Sequence, residues 1–261
     1  MKFKGLTNEI TVEKNILIKK EKAVNKLYLD KKNEFIILKE FKQNYQKIMI
    51  KSFDFYFQDG LLISKFKILK NFKSINEIDI TDDILDLVIY GIKKFHKIKI
   101  KSKIKKFNYS NYLDIFKNNI DNFLYDFSNE YEKLIKKIAF TKNLKQVISH
   151  NDLVPGNILI KNKKIKLIDY DFVMLNNIFF DIASFITETL NDNNLLINSF
   201  IKKCIEKKLI KKEDINYLKI IIEYQDLLWT LWANYMFEKT NENIYKIICQ
   251  EKYLRLKNRF I

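Results

Sequence analysis

His150, Asp152 and Asn157 stand in the spacing H-x-D-x-x-x-x-N, and Asp169 follows after a short alternating stretch. Residues of these types in this order suit phosphoryl transfer, which asks little covalent chemistry of a protein. It needs a hydroxyl held in line and phosphate charge neutralised. Asp152 is the carboxylate that accepts the hydrogen bond of an attacking hydroxyl, and His150 and Asn157 complete its loop. Asn157 and Asp169 are hard oxygen donors of the kind Mg²⁺ takes while keeping its other positions for water and phosphate. A single Asp or Asn in a loop is ordinarily a turn former; four such residues in order, around the chain's one proline, Pro155, and Gly156, are not.

The elements that must hold these groups follow from local pattern. Asn157–Lys161 and Lys164–Ile168 alternate as two strands around an Asn162-Lys163 turn, giving a hairpin between Asn157 and Asp169. Upstream, Asn15–Lys19 reads as a strand, and Asp30 as the N-cap of a helix from Lys31 to about Gln43, with Phe35, Leu38 and Phe41 on its apolar face. A strand lysine held by a helix glutamate is the usual phosphate anchor of kinases, and Lys19 with Glu34 is the candidate pair. Lys20 is its neighbour, on the opposite face of the strand. Ile48–Tyr56 and Leu61–Lys67 read as strands around Gln58-Asp59-Gly60, a glycine-containing hairpin turn, so that Lys65, Phe66 and Lys67 begin the connection that offers backbone groups to adenine. A helix is expected from Thr81 to near His96, a second long helical region over Tyr112–Ala139, and a helical segment over Ile215–Phe237.

The residues quoted so far, with GLTN at Gly5–Asn8, SFDFYFQDGLLISKF at Ser52–Phe66, FFDIASFITE after LIDYDF, and DLLWTLWA at Asp226–Ala233, resemble the choline/ethanolamine kinase family. The resemblance is to its bacterial branch, within the aminoglycoside-phosphotransferase-like kinases, and covers nearly the whole chain. It implies an α+β, bilobal, protein-kinase-like fold, with a small antiparallel-sheet lobe over residues 1–70 and a larger, mainly helical lobe over 71–261. It implies ATP and Mg²⁺ as cofactors, Thr7 and Asn8 over the phosphates, and Asp181 beneath the catalytic loop accepting backbone N–H groups. Where the family carries Glu, this chain has Asp171, one methylene shorter, which keeps a carboxylate for a second metal contact. Glu188 faces the substrate pocket on the same reasoning.

Trp229 and Trp232, the chain's only tryptophans, lie three residues apart, with Asp226 three residues before them. That spacing sets successive side chains about 60° apart on one helical face. Tryptophan faces attract quaternary ammonium groups, and a carboxylate from Asp226 or Glu223 adds Coulombic preference for a cation. Tyr170, Tyr224 and Tyr235 complete the expected cage. The expected acceptor is therefore choline, with ethanolamine, thiamine or an aminoglycoside as alternative alcohols and a catalytically silent basic module as the non-enzyme alternative. An aromatic stripe at this spacing is, in isolation, ordinarily core.

Bulk properties fit one two-lobed enzyme. The chain's 261 residues can bury a substantial core, and no apolar run is long enough to span a membrane. Cys204 and Cys249 form neither a disulfide framework nor a metal spacing, which suits a cytoplasmic protein, monomer or homodimer. The net charge of +16 suggests nucleic acid. Yet Lys, Ile and Asn are high throughout, and the sharpest basic run, Lys97–Lys106, has no interleaved aromatic residue for base stacking. It reads as a solvated loop or an edge guarded by lysine, and no nucleic-acid partner is expected.

Overall fold

The computed structural model describes residues 7–258. Of the GLTN turn, Gly5 and Leu6 lie outside the described residues, while Thr7 and Asn8 lie within them. The first lobe is a four-stranded antiparallel sheet in the order β1-β2-β4-β3: β1 Asn8–Glu13, β2 Ile16–Glu21, β3 Ser52–Gln58 and β4 Leu61–Lys67. The β3–β4 turn takes Asp59 and Gly60 to positive φ, the conformation that a two-residue hairpin with right-handed strand twist requires. Helix α1, Lys31–Gln43, begins where its sequence signals place it, with the Asp30 carboxylate accepting from the Asn33 N–H. Ile37, Leu38 and Phe41 are buried on its inner face, and Phe35 packs edge-on to Phe55 of the sheet at 5.0 Å.

The third strand starts four residues later than the alternation of Ile48–Tyr56 predicts. Ile48 and Met49 are drawn to the other lobe instead. The Ile48 carbonyl accepts from the Leu167 N–H at 2.7 Å, and Met49 bridges to Leu167. Their apolar side chains fill the seam between lobes, a tertiary demand that strand propensity does not record.

In the larger lobe, β5 (Lys73–Ser74), β7 (Ile158–Lys161) and β8 (Lys164–Leu167) form one small sheet, and β6 (Val147–Ser149) pairs with β9 (Met174–Asn176). The expected hairpin is thus present. The short β6–β9 pair clamps the chain on either side of it, so the 150–157 loop and the 169–172 segment leave a common base. Helix α2 (Asp82–His96) lies over β8, and Gly91 permits that approach, since a Cβ there would sit 3.0 Å from Ile165 Cδ1. The helical region expected over Tyr112–Ala139 divides into two helices, α3 (Tyr109–Lys117) and α4 (Ser128–Lys137). The break is pinned from outside: Glu238 accepts the N–H groups of Asp121 and Asn122, and Asn234 accepts that of Leu124. Helices α5 (Phe179–Glu188), α6 (Asn194–Glu206), α7 (Ile215–Thr240) and α8 (Asn243–Asn258) complete the lobe. From Ile221 to Met236 α7 is buried nearly all round, which explains its weak amphipathicity. Among the described residues no helix is long and apolar enough to cross a membrane. The basic run is irregular and held rather than free. Its Lys101 and Ser102 N–H groups donate to Glu40, and its Lys105 N–H donates to Asn33.

Candidate active site

The catalytic loop is shaped by what lies beneath it. Asp181, in the first turn of α5, accepts the N–H of His150 at 2.9 Å, the N–H of Asn151 at 2.7 Å and His96 Nε2–H at 2.8 Å. Burial works to raise its carboxyl, but the His96 hydrogen bond and charge, with His150, outweigh that and hold it below the ordinary value. Ser184, one turn on, accepts the Leu153 N–H. Asn151 takes φ 62°, a left-handed conformation Asn tolerates, and its amide donates to the Phe172 carbonyl at 2.8 Å. The loop is therefore tied both to α5 below and to the segment that carries Asp169.

On this frame the Asp152 carboxylate and the Asn157 amide meet at 2.9 Å. Asn157 Nδ2 also donates to the Asp152 carbonyl, which leaves Oδ1 of Asn157 free for another partner. Desolvation, then the neighbouring charges of Asp169, Glu188 and Asp171, push the Asp152 carboxyl well above its usual range. His150 requires correction as a catalytic residue. Its ring is fully buried, donates from Nε2 to the Ile168 carbonyl at 2.9 Å, and is held neutral by desolvation. Its ring is committed to the Ile168 carbonyl and to packing beneath the loop.

Across the seam, Lys19 of β2 points into the site and Lys20 points out to solvent. The Lys19 ammonium donates to Glu34 at 3.1 Å, to Asp169 at 2.5 Å, and to Asp171. Burial would lower its pKa, but Asp169, Asp171 and Glu34 together raise it well above the usual lysine value. Asp169 has φ 67° and a side chain 30 % exposed, the most open carboxylate of this group. Asp171 is fully enclosed. Its Oδ1 receives Lys19 and Lys31, the latter at 2.8 Å, and its Oδ2 receives the Asn8 amide at 2.6 Å and the Thr7 hydroxyl at 3.0 Å. Burial is outweighed here too, and the two lysines hold its carboxyl well below the usual range. A metal fits the first of these positions: a free amide oxygen on Asn157 and an open oxygen on Asp169 are the donor set Mg²⁺ accepts. Asp171 presents no unoccupied oxygen.

Two further expectations are corrected by the geometry. Lys65–Lys67 are not the interlobe connection. They lie inside β4, paired on one side with Ile16–Ile18 and on the other with Ser52 and Asp54, so their backbone groups serve the ladder. Lys65 turns its ammonium to Asp54, and Phe66 is buried. The connection starts at Ile68, whose N–H donates to Asn15. Tyr170 does not face a substrate. Its ring packs edge-on to Phe41 at 4.9 Å, and its hydroxyl bonds the backbone of Ile50 and Leu167.

The aromatic group on α7 is real but differently composed. Trp229 and Trp232 meet edge-to-face at 5.9 Å, and Trp229 meets Phe172 in the same way at 5.8 Å. Phe172 directly follows Asp171, so the aromatic wall adjoins the acidic segment. Trp232 packs on Tyr245 of α8 at 5.5 Å, and Trp229 is the more open of the two indoles. Asp226 is buried one turn before Trp229. Tyr224 is core, donating to the Tyr109 carbonyl; Tyr235 packs on Phe116; and Glu223 is paired with Lys137 on the outer face. Glu188, at the end of α5, accepts Lys252 of α8 at 2.5 Å.

The residues sequence reasoning missed are Lys31, Asn151, Phe172, Ser184 and Lys252. Lys31 alone left a local signal, since a lysine in a helix's first turn opposes the helix dipole.

Residues 93–198 match the model of the phosphotransferase enzyme family (APH). The resemblance to choline/ethanolamine kinases stands beside it. The chain is 29% identical over 177 residues to ethanolamine kinase of Saccharomyces cerevisiae, covering 53% of this chain and 32% of that protein. It is 32% identical over 101 residues to protein LicA of Haemophilus influenzae, covering 36% of each. The matches thus span about a third of these curated relatives' length. In fold, the chain superposes on choline kinase LicA of Streptococcus pneumoniae with a TM-score of 0.76 at 16% identity, over 97% of this chain and 90% of that one. A LicA complex with AMP gives 0.74 at 16% identity, over 98% and 90%. The fold is protein-kinase-like, as the sequence implied.

Proposed function

We propose that this chain transfers the γ-phosphoryl group of MgATP to the hydroxyl of choline, forming phosphocholine and ADP. The observation that carries the reading is the contact of Asp152 with Asn157, the backbone bond from Ile168 that brings Asp169 alongside Asn157, and Lys19 reaching Asp169 from the other lobe. In this reading residues 1–70 are the nucleotide lobe and residues 71–261 hold the catalytic groups and the alcohol. Asp152 accepts the hydrogen bond of the choline hydroxyl and aims its oxygen at the γ-phosphorus. As the new O–P bond forms and the bond to the β-phosphate oxygen breaks, the hydroxyl proton passes to Asp152 and ADP departs. Asn157 and Asp169 would hold Mg²⁺, which would supply positive charge to neutralise the phosphates. Lys19, kept protonated by its carboxylate partners, presents its ammonium to the phosphates, and Glu34 keeps it in place. Thr7 and Asn8 stand at the phosphate end of the cleft through their contacts with Asp171.

The acceptor is assigned from charge and aromatic character. Trp229 and Phe172 offer π faces and edges beside the acidic loop, and Glu188 and Asp226 contribute negative charge. Each cation–π contact is worth about 0.5–2 kcal/mol, depending on desolvation. Ethanolamine is the second reading. Its primary ammonium brings three N–H donors, which suit the carboxylate of Glu188 better than a methylated nitrogen does.

The test is ADP release from ATP with choline, ethanolamine, thiamine and an aminoglycoside, for wild type and Asp152→Asn. Choline turnover that collapses in Asp152→Asn is expected. Equal turnover in the two proteins would remove the mechanism, and turnover confined to an uncharged alcohol would remove the aromatic cage. Steeply salt-dependent DNA retention without turnover would favour a binding module instead.

A further inference from the structure

Lys31 is the residue that local rules least explain. It occupies the first helical position of α1, where the helix dipole is positive and a cation is disfavoured. It is also only 6 % exposed, and burying an ammonium costs several kcal/mol unless anions repay it. The anions are at hand: its Nζ lies 2.7 Å from Glu34 and 2.8 Å from Asp171. A cation placed against both local preferences and desolvation marks a functional position.

The state of Asp171 says which function. An ionised carboxylate accepts about four hydrogen bonds. Here four donors are in place: two ammonium groups on Oδ1, and an amide and a hydroxyl on Oδ2. A metal ion can reach Asp171 only by displacing one of them. Asp169 and Asp171 also share the Lys19 ammonium, so their nearer oxygens lie within about 5 Å of each other, a separation that two cations or one cation and an ammonium can bridge.

We propose that Lys31 is a built-in cation that does for Asp171 what a second metal ion would do, so that this site takes one divalent ion per nucleotide, between Asn157 and Asp169. The idea rests on the phosphotransferase reading and refines it. Lys31 is a positioning residue. It fixes Asp171, and through Asp171 the Thr7–Asn8 turn, without waiting for a metal to arrive.

The experiment counts Mn²⁺ by electron paramagnetic resonance in the full chain saturated with a non-hydrolysable ATP analogue. Wild type is expected to bind one Mn²⁺ per nucleotide. Lys31→Met, which frees an oxygen of Asp171, is expected to bind a second Mn²⁺ at least tenfold more tightly than wild type does. Adding Asp171→Asn to Lys31→Met should return the count to one, and Lys31→Arg should keep it at one. Two ions in wild type, or one in a folded Lys31→Met, would overturn the proposal while leaving phosphoryl transfer intact. If Lys31→Met does not fold, Asp171→Asn alone decides: an unchanged count of one supports the proposal, and a fall from two to one defeats it. Wild type that binds no Mn²⁺–nucleotide at all would sink the phosphotransferase reading and this inference together.

Discussion

Replacing Asp181 with alanine tests whether the catalytic loop is held from below. The substitution leaves three donors without an acceptor: the peptide N–H groups of His150 and Asn151, and His96 Nε2–H. His150 and Asn151 are at most 1 % exposed, so water does not readily replace the carboxylate. An unsatisfied buried donor costs about 1–3 kcal/mol. Because the three share one acceptor their costs do not add fully, and about 3–5 kcal/mol is expected for Asp181→Ala. Asp181→Asn keeps one oxygen and should cost roughly half as much. Urea unfolding monitored by tryptophan fluorescence gives the stability, and ADP release gives activity, which should fall with the loss of a fixed Asp152. The pH dependence adds a check. A carboxyl held below its unfolded value of 3.8 stabilises the fold fully above that value, and the contribution is lost as pH falls through the lower, folded value. The gap between wild type and Asp181→Ala should therefore be flat above about pH 5 and close in acid. A loss under about 1 kcal/mol, or full turnover in Asp181→Ala, would refute the claim that this residue supports the loop.

Asp152→Asn should abolish turnover yet stabilise the protein. The folded carboxyl sits well above its unfolded value, so ionising it costs stability as pH rises through the folded value. At pH 8 a gain of about 0.5–2 kcal/mol, or a few degrees in Tm, is expected, shrinking towards pH 4; a lowered Tm would contradict it. Trp229→Leu should raise KM for choline about 2- to 30-fold with KM for ATP unchanged, from one lost cation–π contact. Trp232→Ala, by contrast, should chiefly cost stability, about 3–5 kcal/mol, because that ring packs on Tyr245. Lys252→Met strips Glu188 of its partner and leaves more negative charge near Asp152. The ascending acid limb of kcat/KM should move to higher pH, and a limb that stays put or moves down would show that Glu188 is electrostatically remote.

Local sequence carried far in this chain wherever neighbours along the chain do the work. The 158–167 hairpin, the Asp30-capped α1 and the span of α2 were all legible, because alternation, caps and helical spacing are short-range signals. The grouping of Asp152, Asn157 and Asp169 was legible for the same reason: one loop and one hairpin join them. Distant partners were not. Tyr170 and Trp229 look alike as exposed-or-buried aromatics in a sequence. Only packing sends the first against Phe41 and sets the second beside Phe172. The break in the helical region over 112–139 is imposed by Glu238 and Asn234, more than a hundred residues away.

The sequence by itself determined the chemistry available, since residue type and spacing along one loop set which oxygens and which carboxylate come together. Tertiary structure alone decided the charge state of that chemistry. Lys19, Lys31, Glu34 and Asp171 arrive from three separate elements, and their mutual burial settles which groups stay ionised and which oxygens remain open to a metal. Electrostatic energy in a buried cluster depends on distance and desolvation, and neither quantity is written in the order of residues.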